Sequence, residues 1–266
     1  MNLGKTKPFF TIVTVCLNNL DGLKCTYQSL KEQSCKDYEW IVVDGESNDG
    51  TVEWIRSLAE GSCRWISEPD KGLYDAMNKG IDIATGRWLL FLNSGDELAT
   101  ADVLERVVEV SDRHVKAAMI YGDALERMDD GALVLKPAHS ASRVWYGMFT
   151  HHQAMIYQRD FVGAQRYRLD YRIAADYAFT CELLGRHAEA IHEPLPVCIF
   201  EGGGITSTGD VHVEGMKEQW RIGRDILKRA IPQRLFVLGM HLAKHAVMRL
   251  TPGMYRRIRY REVKHV

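Results

Sequence analysis

The first half of the chain alternates short apolar runs with segments of helical periodicity. Four runs rich in β-branched and aromatic residues predict strands at 9–17, 38–43, 63–67 and 88–92. Apolar residues at helical spacing predict helices at 20–33, 51–59, 73–84 and 103–110. Strands that alternate with helices of this length are typical of βαβ units, whose strands pair in parallel. The pattern therefore predicts an α/β fold with a Rossmann-like, mainly parallel sheet flanked by helices.

The second half has a different pattern and contributes to the same sheet. Its predicted elements are a strand at 118–122, a hairpin over 123–137, a helix at 175–186, a strand at 188–200 and a helix at 212–230. No internal repeat and no long linker divides the chain, so residues 1–231 are predicted to form one domain. The two halves of that domain cover about 9–110 and about 111–210.

Residues 232–266 form a basic tail. Eight basic residues and one acidic residue follow Pro232, so the tail has a formal charge of +7, whereas the whole chain has −1. Leu235, Leu238 and Leu242 share one face of a predicted helix. A basic amphipathic helix binds the interface of anionic membranes, which predicts peripheral attachment to the cytoplasmic face of an inner membrane. The alternative is a helix packed on the domain with its basic end in water.

The remaining composition disfavours several classes of protein. No apolar run reaches 18 residues, and residues 1–8 lack the apolar core of a signal peptide, so a cytoplasmic protein is expected. The six cysteines form no CxxC pair, which favours reduced core thiols over a disulfide framework. No GxGxxG follows the first strand, which disfavours a dinucleotide-binding fold. Outside its tail the chain is acidic, so no nucleic-acid partner is expected.

Polar side chains follow three of the predicted strands. They are Asn18 and Asn19, Asp44 and Ser47, and Ser94 and Asp96. Because the carboxyl ends of parallel strands share one edge of a sheet, these groups are expected to converge. Asp96 follows the apolar run 88–92, and hard cations take carboxylate oxygens as ligands, so Asp96 is a candidate metal ligand. The alternative for Asp96 is a cap for the next helix.

Several of these segments together resemble a known family. TIVTVCLNN, EWIVVDGESNDGT and SEPDKGLYDAMNKGIDIATGRWLLFLNSGDEL are similar to family 2 glycosyltransferases with the GT-A fold. Among these, bacterial capsule and exopolysaccharide members, typified by the colanic acid glycosyltransferases, look most alike. The resemblance is dense over about residues 9–110. It continues through HHQAMIYQRDF, YRIAADYAF and FEGGGIT to about residue 207.

The resemblance implies an inverting transfer of a single sugar from a nucleotide-diphosphate sugar, with a UDP-sugar expected. The acceptor is expected to be a lipid-linked saccharide in exopolysaccharide, capsule or lipopolysaccharide biosynthesis. Residues at positions that bind the nucleotide sugar in the family are Thr14, Val15, Asn18, Asp44, Ser47, Asp75, Asn78, Lys79, Asn93 and Ser94. Ser94-Gly95-Asp96 occupies the position of the metal-binding DxD motif. Serine replaces its first acid, so Asp96 is expected to hold Mn²⁺ or Mg²⁺ largely alone.

The resemblance also suggests the residues that carry the chemistry. The acceptor hydroxyl needs a general base, and Asp176 matches the family acid at the start of a helix beyond the acceptor site. Its alternative is a first-turn carboxylate favoured by the helix dipole. His152 and Gln153 are expected near the donor sugar and acceptor, with His151 structural. Gly203 and Gly204 are expected in a mobile loop over the phosphates, or else in a flexible connection.

Two other functions remain open at this point. A sugar nucleotidyltransferase would use a glycine-rich basic loop after the first strand, and the sequence Leu17-Asn18-Asn19-Leu20-Asp21 lacks one. A non-catalytic module that binds sugar nucleotides or glycans within an assembly complex is compatible with the serine in the metal motif. Hydrolysis of a donor in the presence of manganese distinguishes an enzyme from such a module.

Overall fold

The computed structural model describes residues 7–128, 130–186, 188–202 and 209–262. Within these ranges the strands are β1 (Phe10–Cys16), β2 (Tyr38–Asp44), β3 (Arg64–Ser67), β4 (Trp88–Phe91), β5 (Glu97–Leu98), β6 (Ala117–Arg127), β7 (Leu133–Lys136), β8 (Met155–Gln158), β9 (Glu189–Phe200) and β10 (Arg261–Glu262). The α-helices are α1 (Leu20–Lys31), α2 (Thr51–Ser57), α3 (Leu73–Ile83), α4 (Val103–Arg113), α5 (Arg159–Val162), α6 (Ala175–Leu184), α7 (Gly209–Asp225), α8 (Ile231–Leu250) and α9 (Pro252–Arg259).

The sheet has a parallel part built from the first half of the chain. Its strand order is β10-β7-β6-β8-β4-β1-β2-β3, and the last four strands of this order run parallel. The register pairs Cys16 with Asp44 and Val13 with Phe91, so the carboxyl ends of β1, β2 and β4 lie together. The predicted α/β class with a mainly parallel sheet is confirmed. The predicted helices of the first half are confirmed to within a few residues.

The second half adds strands of mixed direction. The four residues of β8 run antiparallel to both β4 and β6 and join the two halves. The sequence interpretation missed β8, because four residues are too short to show an alternation. Strand β6 runs to Arg127 and forms the predicted hairpin with β7; Asp129 of that turn lies outside the described residues. A side chain at Gly122 would come within 2.3 Å of the Leu195 carbonyl, so the glycine permits the pairing with β9.

Two apolar layers cover the faces of the sheet. Alternate residues of β1 divide between them, with Val13 and Val15 on one face and Phe10 and Ile12 on the other. Helix α3 packs on the first face so closely that a Cβ at Gly80 would meet Val13 at 2.4 Å. Helices α1 and α4 contribute to the second layer. This packing fixes the strand ends that form the cleft described below.

The tail contacts the rest of the chain at several points, although helix α8 is largely exposed. Helix α8 has no buried residue, but Arg234 lies 4.5 Å over the ring of Trp220 in α7, and His241 stacks on Tyr146 at 4.5 Å. Beyond α9, β10 pairs antiparallel with β7 and extends the sheet. The chain therefore returns to the domain after a largely exposed helix. Among the described residues, no helix is both long and apolar enough to span a membrane.

Candidate active site

A cleft of about 700 Å³ opens at the carboxyl ends of the parallel strands. The first half contributes the end of β1, the loop before α3 and the loop after β4 to its walls. The second half contributes β6, β7, the 148–153 segment and the residues before α6, and Arg259 comes from the end of α9. The sequence-predicted residues that line the cleft are Val15, Asn19, Asn93, Ser94, His152, Gln153 and Asp176. The structure therefore brings both halves of the chain to one site, as strand ends in an open α/β sheet do.

Asp176 lies in the first turn of α6 and faces the cleft. Burial in this wall raises its pKa to about 6, and the hydrogen bond from the Tyr177 backbone N–H, 2.7 Å from Oδ1, limits the rise. A carboxylate with a pKa near the working pH is an effective general base. With a pKa of about 6, the Asp176 carboxyl is mostly ionised at neutral pH and is able to accept a proton from a group in the cleft.

The loop before α6 is held by a buried carboxylate that the sequence interpretation missed. Glu218 of α7 accepts hydrogen bonds from the backbone N–H groups of Arg172, Ile173 and Ala174 at 2.6, 2.9 and 2.7 Å. Its side chain is almost completely buried. Because these three residues lead directly into α6, Glu218 positions Asp176. No local pattern in the sequence marks a carboxylate for this role, since its partners lie more than 40 residues away.

Asp96 is more enclosed than a surface metal ligand. It is 4% exposed, and its Oδ2 accepts from Gln153 Nε2 at 3.0 Å while Oδ1 accepts from the Glu201 N–H at 3.3 Å. Burial raises its pKa to about 7. Asp96 lies behind the cleft wall, whereas Asn93 and Ser94 face the cleft. The residues in the described ranges include no cluster of three or more histidines, cysteines or acids arranged for a metal.

An oxygen donor set for a cation is nevertheless present. Asn93 Oδ1 is buried and has no hydrogen-bond partner in the part of the chain that the structure describes. Ser94 Oγ lies beside it and is reached by Asn19 Nδ2 at 3.3 Å. A hard cation that keeps several waters needs only one or two protein oxygens. The side-chain oxygens of Asn93, Ser94 and Asp96 are of the kind that binds a divalent cation. Only Asp96 supplies a carboxylate.

Asp44 has an unsatisfied oxygen at the end of β2. Its Oδ2 accepts from the Ser47 N–H at 3.1 Å and from Ser67 Oγ at 2.7 Å. Its Oδ1 is buried and has no partner among the described residues. A buried carboxylate oxygen without a donor is costly, and a ligand N–H would satisfy it. Asp44 does not itself line the cleft, but Leu17 and Asp70, which lie beside the next residue, Gly45, do line it.

Two other predicted residues, Thr14 of β1 and Asn18 of the following loop, form hydrogen bonds with neighbouring parts of the first half. Thr14 Oγ1 accepts from the indole N–H of Trp40 at 2.9 Å within the core. Asn18 donates its backbone N–H to Ser47 Oγ at 2.8 Å, and its side chain accepts from the Asn48 N–H at 2.8 Å. These bonds tie the loop after β1 to the loop after β2.

The predicted residues of α3 lie beside the cleft and do not line it. Asp75 accepts from the Lys71 N–H, Asn78 exchanges two hydrogen bonds with the backbone of Tyr167, and Lys79 pairs with Glu68 at 2.9 Å. Asp75 and Lys79 thus hold the 68–72 loop, and Asn78 holds the backbone at Tyr167. Asp70 of that loop does line the cleft and was missed, although its position just after a predicted strand was the available signal.

His152 and Gln153 reach the cleft from the segment before β8. His152 Nε2 lies 2.7 Å from the hydroxyl of Tyr167, and burial lowers its pKa to about 3, so the ring is neutral. Gln153 holds Asp96, as described above. Gly203 and Gly204 lie outside the described residues.

One group of charged residues at the cleft was not predicted. We call Glu126, Lys136, His151 and Arg259 the cationic corner. His151 Nε2 and Arg259 Nη2 lie 2.7 and 2.8 Å from Glu126 Oε1, and Lys136 Nζ lies 3.7 Å away. Burial opposes ionisation of Glu126, but the hydrogen bond with His151 and the charge of Arg259 hold its pKa well below the usual range. The corner combines residues from β6, β7, the 148–153 segment and the tail.

The parallel sheet extended by a reversed strand agrees with the GT-A fold expected from the sequence. Residues 11–189 match the family model for glycosyl transferase family 2, and the chain belongs to this family. The predicted family and enzyme class are therefore confirmed.

Two curated relatives are similar over most of this chain. A PGL/p-HBAD biosynthesis glycosyltransferase of Mycobacterium tuberculosis is 35% identical over 208 residues, covering 76% of this chain and 80% of the relative. The succinoglycan biosynthesis protein ExoO of Rhizobium meliloti is 26% identical over 211 residues, covering 73% of this chain and 60% of the relative.

Two solved structures share the fold. TarS of S. aureus (residues 1–349, in complex with UDP) aligns with a TM-score of 0.65 at 15% identity, covering 93% of this chain and 76% of that 1–349 chain. The mannosyltransferase PcManGT of Pyrobaculum calidifontis, in complex with GDP-Man and Mn²⁺, gives 0.65 at 15% identity, covering 95% and 79%. At this level of identity the likeness supports the fold.

Proposed function

We propose that the protein is an inverting glycosyltransferase that transfers a single sugar from a nucleotide-diphosphate sugar to a saccharide acceptor. The observation that carries the proposal is the position of Asp176, a carboxylate of raised pKa that faces the cleft between the two halves of the chain. The first half, about 9–110, binds the donor. The second half, about 111–210, binds the acceptor.

The donor half offers groups suited to a nucleoside diphosphate. The unpartnered Oδ1 of Asp44 accepts an N–H of the base, for which uracil is our proposal, and Asp70 lies along the path from the base to the cleft. A Mn²⁺ or Mg²⁺ held by Asp96 with Asn93 and Ser94 would neutralise the charge that develops on the leaving diphosphate. The solved neighbours with UDP and with GDP-Man and Mn²⁺ support this kind of donor.

Asp176 takes the proton of the acceptor hydroxyl as that oxygen attacks the anomeric carbon. Because the attack comes from the side opposite the leaving diphosphate, the configuration at that carbon inverts. Glu218 keeps the loop before α6 fixed, so the carboxylate is already oriented when the acceptor arrives. His152 is neutral and buried, and with Gln153 it shapes the wall beside the donor sugar.

A lipid-linked acceptor agrees with the surface of the tail. Large apolar side chains are exposed along α8 and α9, and they are Ile231, Leu235, Phe236, Leu242, Leu250, Met254 and Ile258. The tail is also strongly basic. We propose that this surface docks on the anionic cytoplasmic face of an inner membrane. The succinoglycan relative supports a role in exopolysaccharide, capsule or lipopolysaccharide synthesis.

The transfer proposal is tested by a screen of nucleotide sugars for binding and for hydrolysis with Mn²⁺. We expect one donor to bind and to be slowly hydrolysed. Binding without hydrolysis or transfer would instead indicate a non-catalytic module, and formation of a sugar nucleotide from a triphosphate would indicate a nucleotidyltransferase.

The membrane proposal is tested by co-sedimentation with vesicles of phosphatidylglycerol or phosphatidylcholine. We expect binding to the anionic vesicles and its loss in Phe236→Glu and Leu242→Glu. Val115→Glu is the matched control, since Val115 is equally exposed but lies far from the tail in the sequence. Equal binding by all variants would overturn the proposal.

A further inference from the structure

The cationic corner carries an excess of positive charge at the cleft. Lys136 and Arg259 face one acid, Glu126. His151 adds no charge at neutral pH, because burial and the nearby Lys136 lower its pKa to about 4. Burial also lowers the pKa of Lys136, but only to about 8, so its ammonium form predominates at pH 7. The corner therefore has a net charge of about +1 in a wall that is largely shielded from water.

The carboxylate of Glu126 does not accept a hydrogen bond from every donor atom of Arg259 and Lys136. Its Oε1 accepts from Arg259 and contacts His151, and its Oε2 accepts from the hydroxyl of Tyr260. Arg259 Nε is buried and has no partner among the described residues. Lys136 Nζ is 3.7 Å from Glu126, beyond hydrogen-bonding distance. A buried guanidinium N–H without an acceptor is able to donate to an oxygen of a bound anion.

The corner is built from the second half of the chain and the tail, and it adjoins Asp96, because Glu126 pairs with Phe200 and the next residue, Glu201, donates its N–H to Asp96. Glu126 and Lys136 belong to β6 and β7, and β8 separates these strands from β4 and β1. The pairing of Arg261 with Leu135 in β7 brings Arg259 to the same place. Arg172, just before α6, adds an exposed side chain to the cleft that has no partner among the described residues. These cations therefore line the same cleft as Asp176.

We propose that Lys136 and Arg259 form a subsite for an anionic group of the acceptor, a phosphate or a carboxylate. This inference rests on the proposed transfer function and adds to it the chemical class of the acceptor. The guanidinium of Arg259 matches the geometry of either oxyanion, whereas Lys136 contributes a point charge. Glu126 orients Arg259 and leaves Nε free. Helix α9 then contributes Arg259 to the acceptor site, and Met254 and Ile258 to the proposed membrane-facing surface.

Two sources of the anion can be distinguished by calorimetric titration of the full chain. Geranyl diphosphate represents a lipid-linked phosphate, with geraniol as its neutral partner. Methyl glucuronide represents an acidic saccharide, with methyl glucoside as its neutral partner. We expect the protein to bind one charged probe at least about tenfold more tightly than its neutral partner.

The variants Lys136→Gln and Arg259→Gln should each lower the affinity for that charged probe by about tenfold or more. Arg257→Gln is the matched control, since Arg257 lies on the same helix and is exposed. Lys136→Gln breaks no hydrogen bond of the fold, so it remains informative if Arg259→Gln unfolds. UDP binding with Mn²⁺ should be the same in all variants.

Three results would overturn the inference. The protein could fail to distinguish either charged probe from its neutral partner, or both variants could match Arg257→Gln. A parallel loss of UDP affinity in Lys136→Gln and Arg259→Gln would assign the corner to the donor diphosphate instead. Failure of the transfer function would appear separately, as absence of UDP binding and of donor hydrolysis in the unaltered protein.

Discussion

The two sides of the cleft differ in charge and in how the chain builds them. The donor side comes from successive βαβ units within about 100 residues, and the acidic residues Asp44, Asp70 and Asp96 lie at or near the cleft. The acceptor side carries the cationic corner, in which Glu126 and Arg259 are 133 residues apart. The strands of the donor side follow one another along the chain, although Gln153 and Glu201 of the second half hold Asp96. The acceptor side is assembled almost wholly from distant segments and the tail. Asp176 stands between them.

The largest effect is expected at the boundary of the two sides. Asp176→Asn removes the proton acceptor and should lower kcat by about 10²- to 10⁴-fold, while the affinity for UDP changes little. Initial-rate kinetics and titration with UDP measure the two quantities. Asp160→Asn is the control, because Asp160 is an exposed first-turn acid on α5. Near-normal turnover in Asp176→Asn would refute the role of the base and favour a helix-dipole carboxylate.

The second-largest effect is expected at Glu218, which holds the loop before Asp176. Glu218→Gln replaces a charged acceptor of three backbone N–H groups by a neutral one, so the free energy of unfolding should fall by about 1–3 kcal/mol. Turnover should fall while the affinity for UDP is retained, since the loop before α6 borders the acceptor side. Urea unfolding and steady-state kinetics report both changes. Loss of stability with unchanged kcat would show that Glu218 has no positioning role.

The pH dependence separates Asp176 from ordinary surface acids. Only the ionised carboxylate accepts a proton, so kcat should rise with pH through a midpoint near 6 and level off above about pH 7. The same rise for an ordinary aspartate would have its midpoint near pH 4 and be nearly complete by about pH 5. A profile measured from pH 4.5 to 8 tests the prediction. An activity already constant at pH 4.5 would contradict the raised pKa.

The smallest effect is expected on the donor side, at Asn78. Because its side chain exchanges two hydrogen bonds with the backbone of Tyr167, Asn78→Ala should cost about 1–3 kcal/mol of stability. Affinity for UDP should stay within about twofold if the residue acts only in the fold. Titration with UDP beside urea unfolding makes the distinction. A clear loss of UDP affinity would confirm the contact with the nucleotide that the sequence predicts.

Much of the donor side could be predicted because it is local. The apolar runs that became β1, β2 and β4 each end in the polar groups they were expected to present, since parallel strands align their ends. The order of motifs also identified the family. Even here, the expectation that Asn78 and Lys79 contact the ligand remains a prediction, because the structure gives both side chains partners within the protein.

Sequence alone determined the α/β class, the parallel part of the sheet, the family and the location of Asp176 at a helix start. Those properties depend on hydrophobic periodicity and on short motifs, which neighbouring residues carry. Only the tertiary structure decided that β8 reverses between the halves, that Glu218 holds the loop before Asp176, and that Arg259 reaches Glu126. Each of these depends on contacts between residues far apart in the chain, and no local pattern encodes which distant segments will pack together.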